Sequence, residues 1–523
     1  MKCFEGKILS VNKNNDVFRY LVEDKGRIVF VGNELPEQYK DVKRLKLGRR
    51  ALIPAFVDTH QHFASFSTFQ AGLNVMDAES NEEISEMVRD FAARSKSKML
   101  VAFGASPYSV KEKRLISREE LDAVCPDKEI MVVKYDGHAC IVNSKLLAKM
   151  DSKIKDLRGY HPDTGEMNQE AFFKFSDYMS SSLSLIELIA NMQDAVDLMA
   201  SKGIGMVHTV SGVGFAGNLD ITMEKLFAKS LQNGFQLRVF PQPMNIKVAT
   251  SRKLPRIGGC FESALDGCFG SHDAAMNEPY TDEEGGEGVL YYTDEKVTQF
   301  CKEANRAGLQ IEMHAIGDKA FDQATRALKA ALDDFPREDH RHGIIHDCLP
   351  TEEGIKICSE YNIQMPVQSA FIGWKQEPDE YLEKIMGAER CSRLNPIRTF
   401  MDNGINVSFG SDAPCTFPDP IVWLDKAVNN PNRDEAVTIQ DALRMCTING
   451  YYTTFDEQQR GSLEAGKIAD MVILSEDPYE IPAEEIGNLK VEKLLLRGRV
   501  YKSCKQPVAK TVIDAMTSTS TAY

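Results

Sequence analysis

The chain has 523 residues, of which 43% are hydrophobic, and 77 acidic against 62 basic side chains give it a formal charge of −15. That length and apolar content can bury a large core, which sets disorder aside, and no cluster of Lys and Arg is present of the kind that phosphate binding requires, so no nucleic-acid partner is expected. The opening MKCFEGKILSVNKNND lacks the apolar run and cleavage site of a secretory leader, and no window is apolar over a bilayer's thickness. A cytoplasmic location without a membrane partner is therefore expected.

In chain order, the first fifty residues give GKILSV, the polar turn NKNND, VFRYLVED and GRIVFVG, a set of short strands too small to bury two sheet faces alone. Residues 1–56 are assigned to one part of a β-sandwich. Residues 57–455 then alternate strand-like runs (ALIPAFVD, KMLVAFGA, EIMVVKY, GMVHTV, LRVFPQP, LQIEMHAI, HGIIHD, IQMPVQS, INVSFGSD) with helical stretches such as SNEEISEMVRDFAARSK and EKVTQFCKEANRAG. This alternation predicts an α/β fold, a distorted (β/α)8 TIM barrel, and the surplus over eight strands is assigned to insertions. GSLEAGKIADMVILSEDP and VEKLLLRGRVYKS, within 456–510, supply the second part of the sandwich, so both ends build one unit. Residues 511–523, closing on TSTSTAY, are expected to be a flexible tail. Twelve cysteines scattered from Cys3 to Cys504 with no CxxC pair read as reduced thiols.

The chemistry concentrates at strand ends, where a barrel carries its site. His60 and His62 follow LIPAFVD, and residues two apart on an extended strand project to one side. Spacing alone leaves packing and ligation equally open. His314 closes LQIEMHAI, His346 closes HGIIHD and Asp412 closes INVSFGSD, each bringing one potential ligand to the same rim. Imidazole and carboxylate suit zinc and related divalent ions. His138, ending KYDGH, either orients a substrate carbonyl or packs; for His208 packing is the expectation. His161, His340 and His342 lie in polar surroundings and read as surface or loop positions, His272 as a loop residue with a weak claim on substrate. The acidic run TDEEGGEG reads as a solvated surface.

The ordered set IPAFVDTHQH, DGHACIVNS, MHAIGDKA, IIHD, FIGWKQEPDEYL, GSDAP and GSLEAGKIADMVIL resembles the amidohydrolase superfamily, and within it the branch of N-substituted formamide deformylases and related metal-dependent hydrolases. The resemblance runs over nearly the whole chain. It implies a barrel with a urease-like composite β-sandwich, a first metal held by His60 and His62, and a second held by His314 and His346. Asp412 would bind the first ion and move the proton of the attacking water. One departure concerns the bridge: the branch commonly carries a carboxylated lysine four residues before an Asp-Gly pair, whereas GGCFESALDGCFGS has none. Glu262 stands four before Asp266 and is the favoured bridging ligand, although the Gly pair is one residue out of step. The alternatives are a single-metal site or a bridge from another residue such as Cys260.

These readings converge on an enzyme that hydrolyses a carbon-nitrogen bond other than a peptide bond, an N-acyl or N-formyl amine being the leading substrate. Deamination of a cyclic amidine is the competing reaction. One or two divalent ions, zinc foremost, and no organic cofactor are required. Trp374 and Phe371 are expected to wall a small-molecule substrate, and the segment from Phe63 to Asp77 to fold over the barrel mouth. A homodimer is the expected assembly if the chain is not monomeric.

Overall fold

A computed structural model describes residues 1–212, 215–283 and 285–518. The chain opens with β1 (Lys2–Leu9), β2 (Val17–Asp24), β3 (Arg27–Gly32) and β4 (Arg44–Pro54). Between β2 and β3 the turn residues Lys25 and Gly26 take φ of 51° and 88°, the paired left-handed conformation of a tight hairpin. Gly26 also donates its N–H to Glu23 at 2.7 Å. β1 pairs antiparallel with β2 but parallel with β4, and that ladder breaks between Glu5 and Lys7.

After the single residue Ala55, β4 runs on into β5 (Phe56–Gln61), a strand buried along its whole length. An insertion follows, with β6 (Leu73–Asn74), β7 (Met99–Ala105), β8 (Glu129–Lys134), β9 (Ala139–Val142), β10 (Tyr160–His161) and β11 (Glu166–Asn168) in a sheet of order β10-β11-β9-β8-β7-β6. The surplus runs KMLVAFGA and EIMVVKY belong to this sheet.

The main architecture is α/β. It resumes with β12 (Ile204–Ser211), β13 (Gln236–Pro241), β14 (Arg256–Ala264), β15 (Gln310–Ala315), β16 (Gly343–His346), β17 (Met365–Val367) and β18 (Val407–Phe409). With β5 these make eight parallel strands in three hydrogen-bonded groups, β13-β12-β5, β14-β15-β16 and β17-β18. Parallel bridges Gly343 to Gln364 and Gln61 to Ala413 link the groups. No ladder joins β13 to β14 among the described residues, so the strands do not close into one hydrogen-bonded ring; there Val210, Phe240 and Cys260 meet through side chains instead.

The connecting helices show why the sequence folds this way. Helix Asp318–Asp334 buries Ala320, Phe321, Ala324, Ala327, Leu328 and Ala331, a stripe at helical spacing that faces the strands. Helix Glu352–Tyr361 begins at Thr351, whose hydroxyl accepts from Gly354 N–H at 3.0 Å, a cap that stabilises a helix by about 1 kcal/mol.

Finally β19 (Met471–Leu474), β20 (Val491–Leu496) and β21 (Arg499–Val500) return to the opening strands, giving the order β21-β20-β19-β4-β1-β2-β3. The two terminal segments thus share one seven-stranded sheet, and its ends approach each other where Arg27 bridges to Ile468 and Lys2 Nζ donates to the Gly498 carbonyl at 2.5 Å. One of its faces contributes Phe4, Ile8, Leu21, Leu52, Met471 and Leu495 to a single buried cluster. The tail expected from residue 511 is helical instead through Thr517: helix Val508–Thr517 packs on helix Leu219–Ser230, and Thr511 Oγ1 accepts from Gln193 Nε2 at 3.0 Å. Apolar positions at helical spacing give that segment a face to bury. The rest of TSTSTAY, residues 519–523, lies outside the described residues, as does Glu284 of the acidic run. Among the described residues no helix is long and apolar enough to cross a membrane, and all twelve cysteines are free.

Candidate metal centre

Two chain segments far apart in sequence are locked side by side at the end of β5. Asp412 donates its N–H to the His60 carbonyl at 2.8 Å, and His62 donates to the Ala413 carbonyl at 2.9 Å. Buried Asp58 cross-links them further, accepting from Ser411 N–H (2.8 Å), Ser411 Oγ (2.6 Å) and, at 3.3 Å, from His60 N–H. Gly410 is required at this crossing, because a Cβ there would stand 2.5 Å from the His60 backbone nitrogen. The result aims both imidazoles at one carboxylate oxygen: Asp412 Oδ1 is 3.1 Å from His60 Nε2 and 3.3 Å from His62 Nε2.

The other half comes from β14, β15 and β16. His314 Nδ1 lies 3.1 Å from Cys260 Sγ, and its Nε2 lies 3.1 Å from the Gly267 carbonyl. His346 is held through Nδ1, 2.6 Å from Gln368 Oε1 at the end of β17. The rings of His346 and His314 are 4.5 Å apart between centroids, and those of His346 and His60 are 5.2 Å apart. Three donor triads result: His60, His62 and Cys260; Cys260, His314 and His346; and His60, His346 and Asp412. Within each the ligand atoms lie within 4.8 Å of one another. Cys260 belongs to both pairs of histidines.

All six groups are buried, and several are unsatisfied. Both ring nitrogens of His60 and Oδ1 of Asp412 have no aligned hydrogen-bond partner, despite the 3.1 Å approach. Leaving a polar group so placed costs about 1–3 kcal/mol, and proteins rarely tolerate it without a ligand or a function. Electrostatics points the same way. Burial alone would raise the Cys260 thiol, but the His314 charge and contacts from His314, His346 and His60 bring it well below the usual thiol range. Burial would likewise raise Asp412, yet His60 and His62 hold its carboxyl below the usual range. Two anionic donors and four imidazoles, dry and converging, fit divalent metal ions of intermediate softness.

The structure therefore brings together His60, His62, His314, His346 and Asp412 as expected at the strand ends. It does not bring Glu262. That side chain is exposed, and its backbone carbonyl accepts from the Tyr292 hydroxyl at 2.7 Å. The reason is a bulge: β14 keeps register with β15 to Gly259 opposite Met313 and resumes only at Ala264 opposite His314. The four intervening residues have no partners in the ladder, so counting back from Asp266 overshoots the strand, and Cys260 holds the central place.

Beside these donors is a cavity walled by His138, Phe371, Trp374, Glu377 and Asp136. His138 is half-buried there, its N–H donated to Asp136 at 3.0 Å. Phe371 stacks on Trp374 at 4.9 Å and on His346 at 6.0 Å. Of the segment from Phe63 to Asp77, residues Phe63–Gln70 form a largely buried helix, and its Ser65, Thr68 and Phe69 line the space next to His62. His208 is buried below the rim, 3.1 Å from Thr454 Oγ1, and His272 bonds Asp282 at 2.8 Å away from the donors. His161 is exposed, whereas His340 and His342 are buried, contrary to the surface expectation. Sequence reasoning missed Gln368, Asp58 and Asp136. Gln368 ends a strand-like run as the ligands do, which is the signal that could have found it.

The profile of the amidohydrolase family matches residues 47–501. The Bacillus subtilis (strain 168) protein YtcJ is 23% identical over 500 residues, covering 89% of this chain and 92% of its own. An N-substituted formamide deformylase of Arthrobacter pascens is 22% identical over 548 residues, covering 95% and 97%. Among solved structures, an uncharacterized metal-dependent hydrolase from Pyrococcus horikoshii OT3 has a TM-score of 0.74 at 21% identity, over 92% of this chain and 99% of that one.

Proposed function

The chain belongs to the amidohydrolase family, and from that premise we propose that it hydrolyses a carbon-nitrogen bond of amide type, as in an N-acyl or N-formyl amine, at a binuclear centre. The observation that carries the reading is Cys260, shared between the triad with His60 and His62 and the triad with His314 and His346. In this assignment His60, His62 and Asp412 would hold one ion and His314 and His346 the second, and Cys260, within reach of both histidine pairs, would take the role first assigned to Glu262. Imidazole, thiolate and carboxylate together favour zinc. The eight parallel strands are read as a distorted (β/α)8 barrel, open at β13 and β14, with the donors at its carboxyl end.

Divalent ions so held would polarise a carbonyl and lower the pKa of water toward about 7. The protein's own groups do the rest. Asp412 accepts the proton of the attacking water and returns it to the departing nitrogen. His138, on the cavity wall, donates to the carbonyl oxygen as negative charge develops. Gln368 fixes the ring of His346 through Nδ1, leaving Nε2 to face the centre. Asp58 holds the His60 and Asp412 segments in register.

Zinc-loaded protein incubated with a panel of N-formyl and N-acyl amines should release amine and carboxylate in equal amounts. Ammonia release from cyclic amidines, with no amide cleaved, would overturn the assignment in favour of deamination.

A further inference from the structure

The segment after β17 turns along the cavity and brings Phe371, Trp374 and Glu377 to its wall. Their order is set by ring contacts. Phe371 stacks on His346 at 6.0 Å, Trp374 stacks on Phe371 at 4.9 Å, and Trp374 meets Tyr135 edge-on at 5.1 Å. Glu377 donates its N–H to the Trp374 carbonyl at 3.1 Å, a turn that keeps indole and carboxyl close together. The half-buried carboxyl is held through one oxygen alone. Its Oε1 accepts from the Tyr135 hydroxyl and from Gly270 N–H, each at 2.9 Å. Oε2 takes no hydrogen bond among the described residues, although the side chain lines the cavity.

What that oxygen lacks is a cation. No Lys or Arg lines the cavity. Lys134 is committed elsewhere, 2.8 Å from Asp136, 3.1 Å from the Gly270 carbonyl and 3.0 Å from Ser271 Oγ, and exposed Lys375 pairs with Asp77. Asp136 thus has its lysine and Asp412 its two histidines, whereas Glu377 has neither. Burial, with the charge of Asp136, raises the Glu377 carboxyl to about 7 against the Tyr135 and Gly270 hydrogen bonds and the Lys134 charge. A cation arriving at Oε2 would favour the ionised form, and the face of an indole attracts the same kind of group. The stacked rings of Phe371 and Trp374 space this carboxyl from His346, and repulsion from ions held there falls with that distance.

We propose that Glu377 and Trp374 form a subsite for a positively charged group, so that the amide cleaved carries an ammonium on a short arm. The inference rests on the amide-hydrolase reading. Two isosteric pairs of amides test it, each exchanging one CH for one protonated nitrogen. N-(2-dimethylaminoethyl)formamide and N-(3-methylbutyl)formamide differ on the amine side, 4-(dimethylamino)-N-methylbutanamide and N,5-dimethylhexanamide on the acyl side. In at least one pair the cationic compound should exceed its neutral twin in kcat/KM by roughly tenfold or more. Glu377→Gln keeps an oxygen for Tyr135 and Gly270 but removes the charge, and should lower that ratio by about tenfold. Trp374→Leu should lower it less. Calorimetry on the zinc-loaded parent protein supplies a readout that needs neither turnover nor a variant. Tighter binding of a cationic twin, with no amide cleaved, would uphold the subsite and sink the hydrolysis reading. Neutral twins bound and used as well as cationic ones in both pairs, binding of no compound, or a ratio unaltered in folded Glu377→Gln would overturn the subsite.

Discussion

The chain carries two His-x-His pairs, His60 with His62 and His340 with His342, and both are buried. They differ in what their nitrogens meet. His342 Nδ1 accepts from Ile311 N–H at 3.1 Å and its Nε2 lies 3.1 Å from Asn305 Oδ1. His340 Nδ1 accepts from His342 N–H at 2.9 Å, and its Nε2 lies 2.8 Å from the Tyr361 carbonyl. Every nitrogen of that pair is satisfied by the fold. In the other, His60 has none aligned and His62 faces the same Asp412 oxygen. The pairs also sit at opposite ends of strands, His340 and His342 before β16 and His60 and His62 closing β5. Spacing thus says little; unmet hydrogen-bonding capacity at the carboxyl end of a strand separates a ligand pair from a structural one.

Five substitutions would break or sharpen that contrast. The largest effect is expected from Asp412→Ala, which should reduce kcat by about 100- to 10,000-fold, measured under single-turnover conditions on zinc-loaded protein. A variant as fast as the parent would remove Asp412 from proton transfer. Next, Cys260→Ala should lower bound metal per chain while Glu262→Ala leaves it unchanged, as counted by mass spectrometry after dialysis; the reverse result would restore Glu262 as the bridge. Gln368→Leu, which frees the ring of His346, should weaken metal affinity by about 10- to 100-fold in a chelator competition.

The smallest effect falls on the structural pair. His342→Leu should keep its metal yet lose about 1–3 kcal/mol of stability in urea unfolding, because Ile311 N–H and Asn305 lose their partner. Burial also depresses the His340 and His342 pKa values below the usual range. Both are therefore neutral in the folded protein and take up protons on unfolding in acid. Their contribution to stability is full above about pH 6.5 and declines as pH falls below it. His342→Leu should flatten that decline, and an unchanged slope would dissociate it from this pair.

The rim of strand ends was legible because His60, His314 and His346 each close an apolar run that is visible in the sequence and that forms β5, β15 and β16. β14 is not regular, and there the reading slipped from Cys260 to Glu262. Nothing in a residue count announces that a strand leaves its ladder, although two adjacent glycines at positive φ mark the place once the backbone is seen. His340 and His342 were misjudged for another reason. Their neighbours in sequence are polar, but cover comes from the ends of helices Asp294–Arg306 and Glu352–Tyr361, which no local window contains. The surplus of strand-like runs was seen correctly, yet that they form a sheet of their own depends on pairing over long range.

The continuity of β4 into β5 has a bearing on how the centre forms. β4 pairs with β19, β5 pairs with β12, and the end of β5 is bridged to Ala413, so the segment bearing His60 and His62 is flanked by partners far away in sequence. The donor set is therefore complete only once these distant segments have come together, a long-range contact that costs loop-closure entropy before it contributes stability.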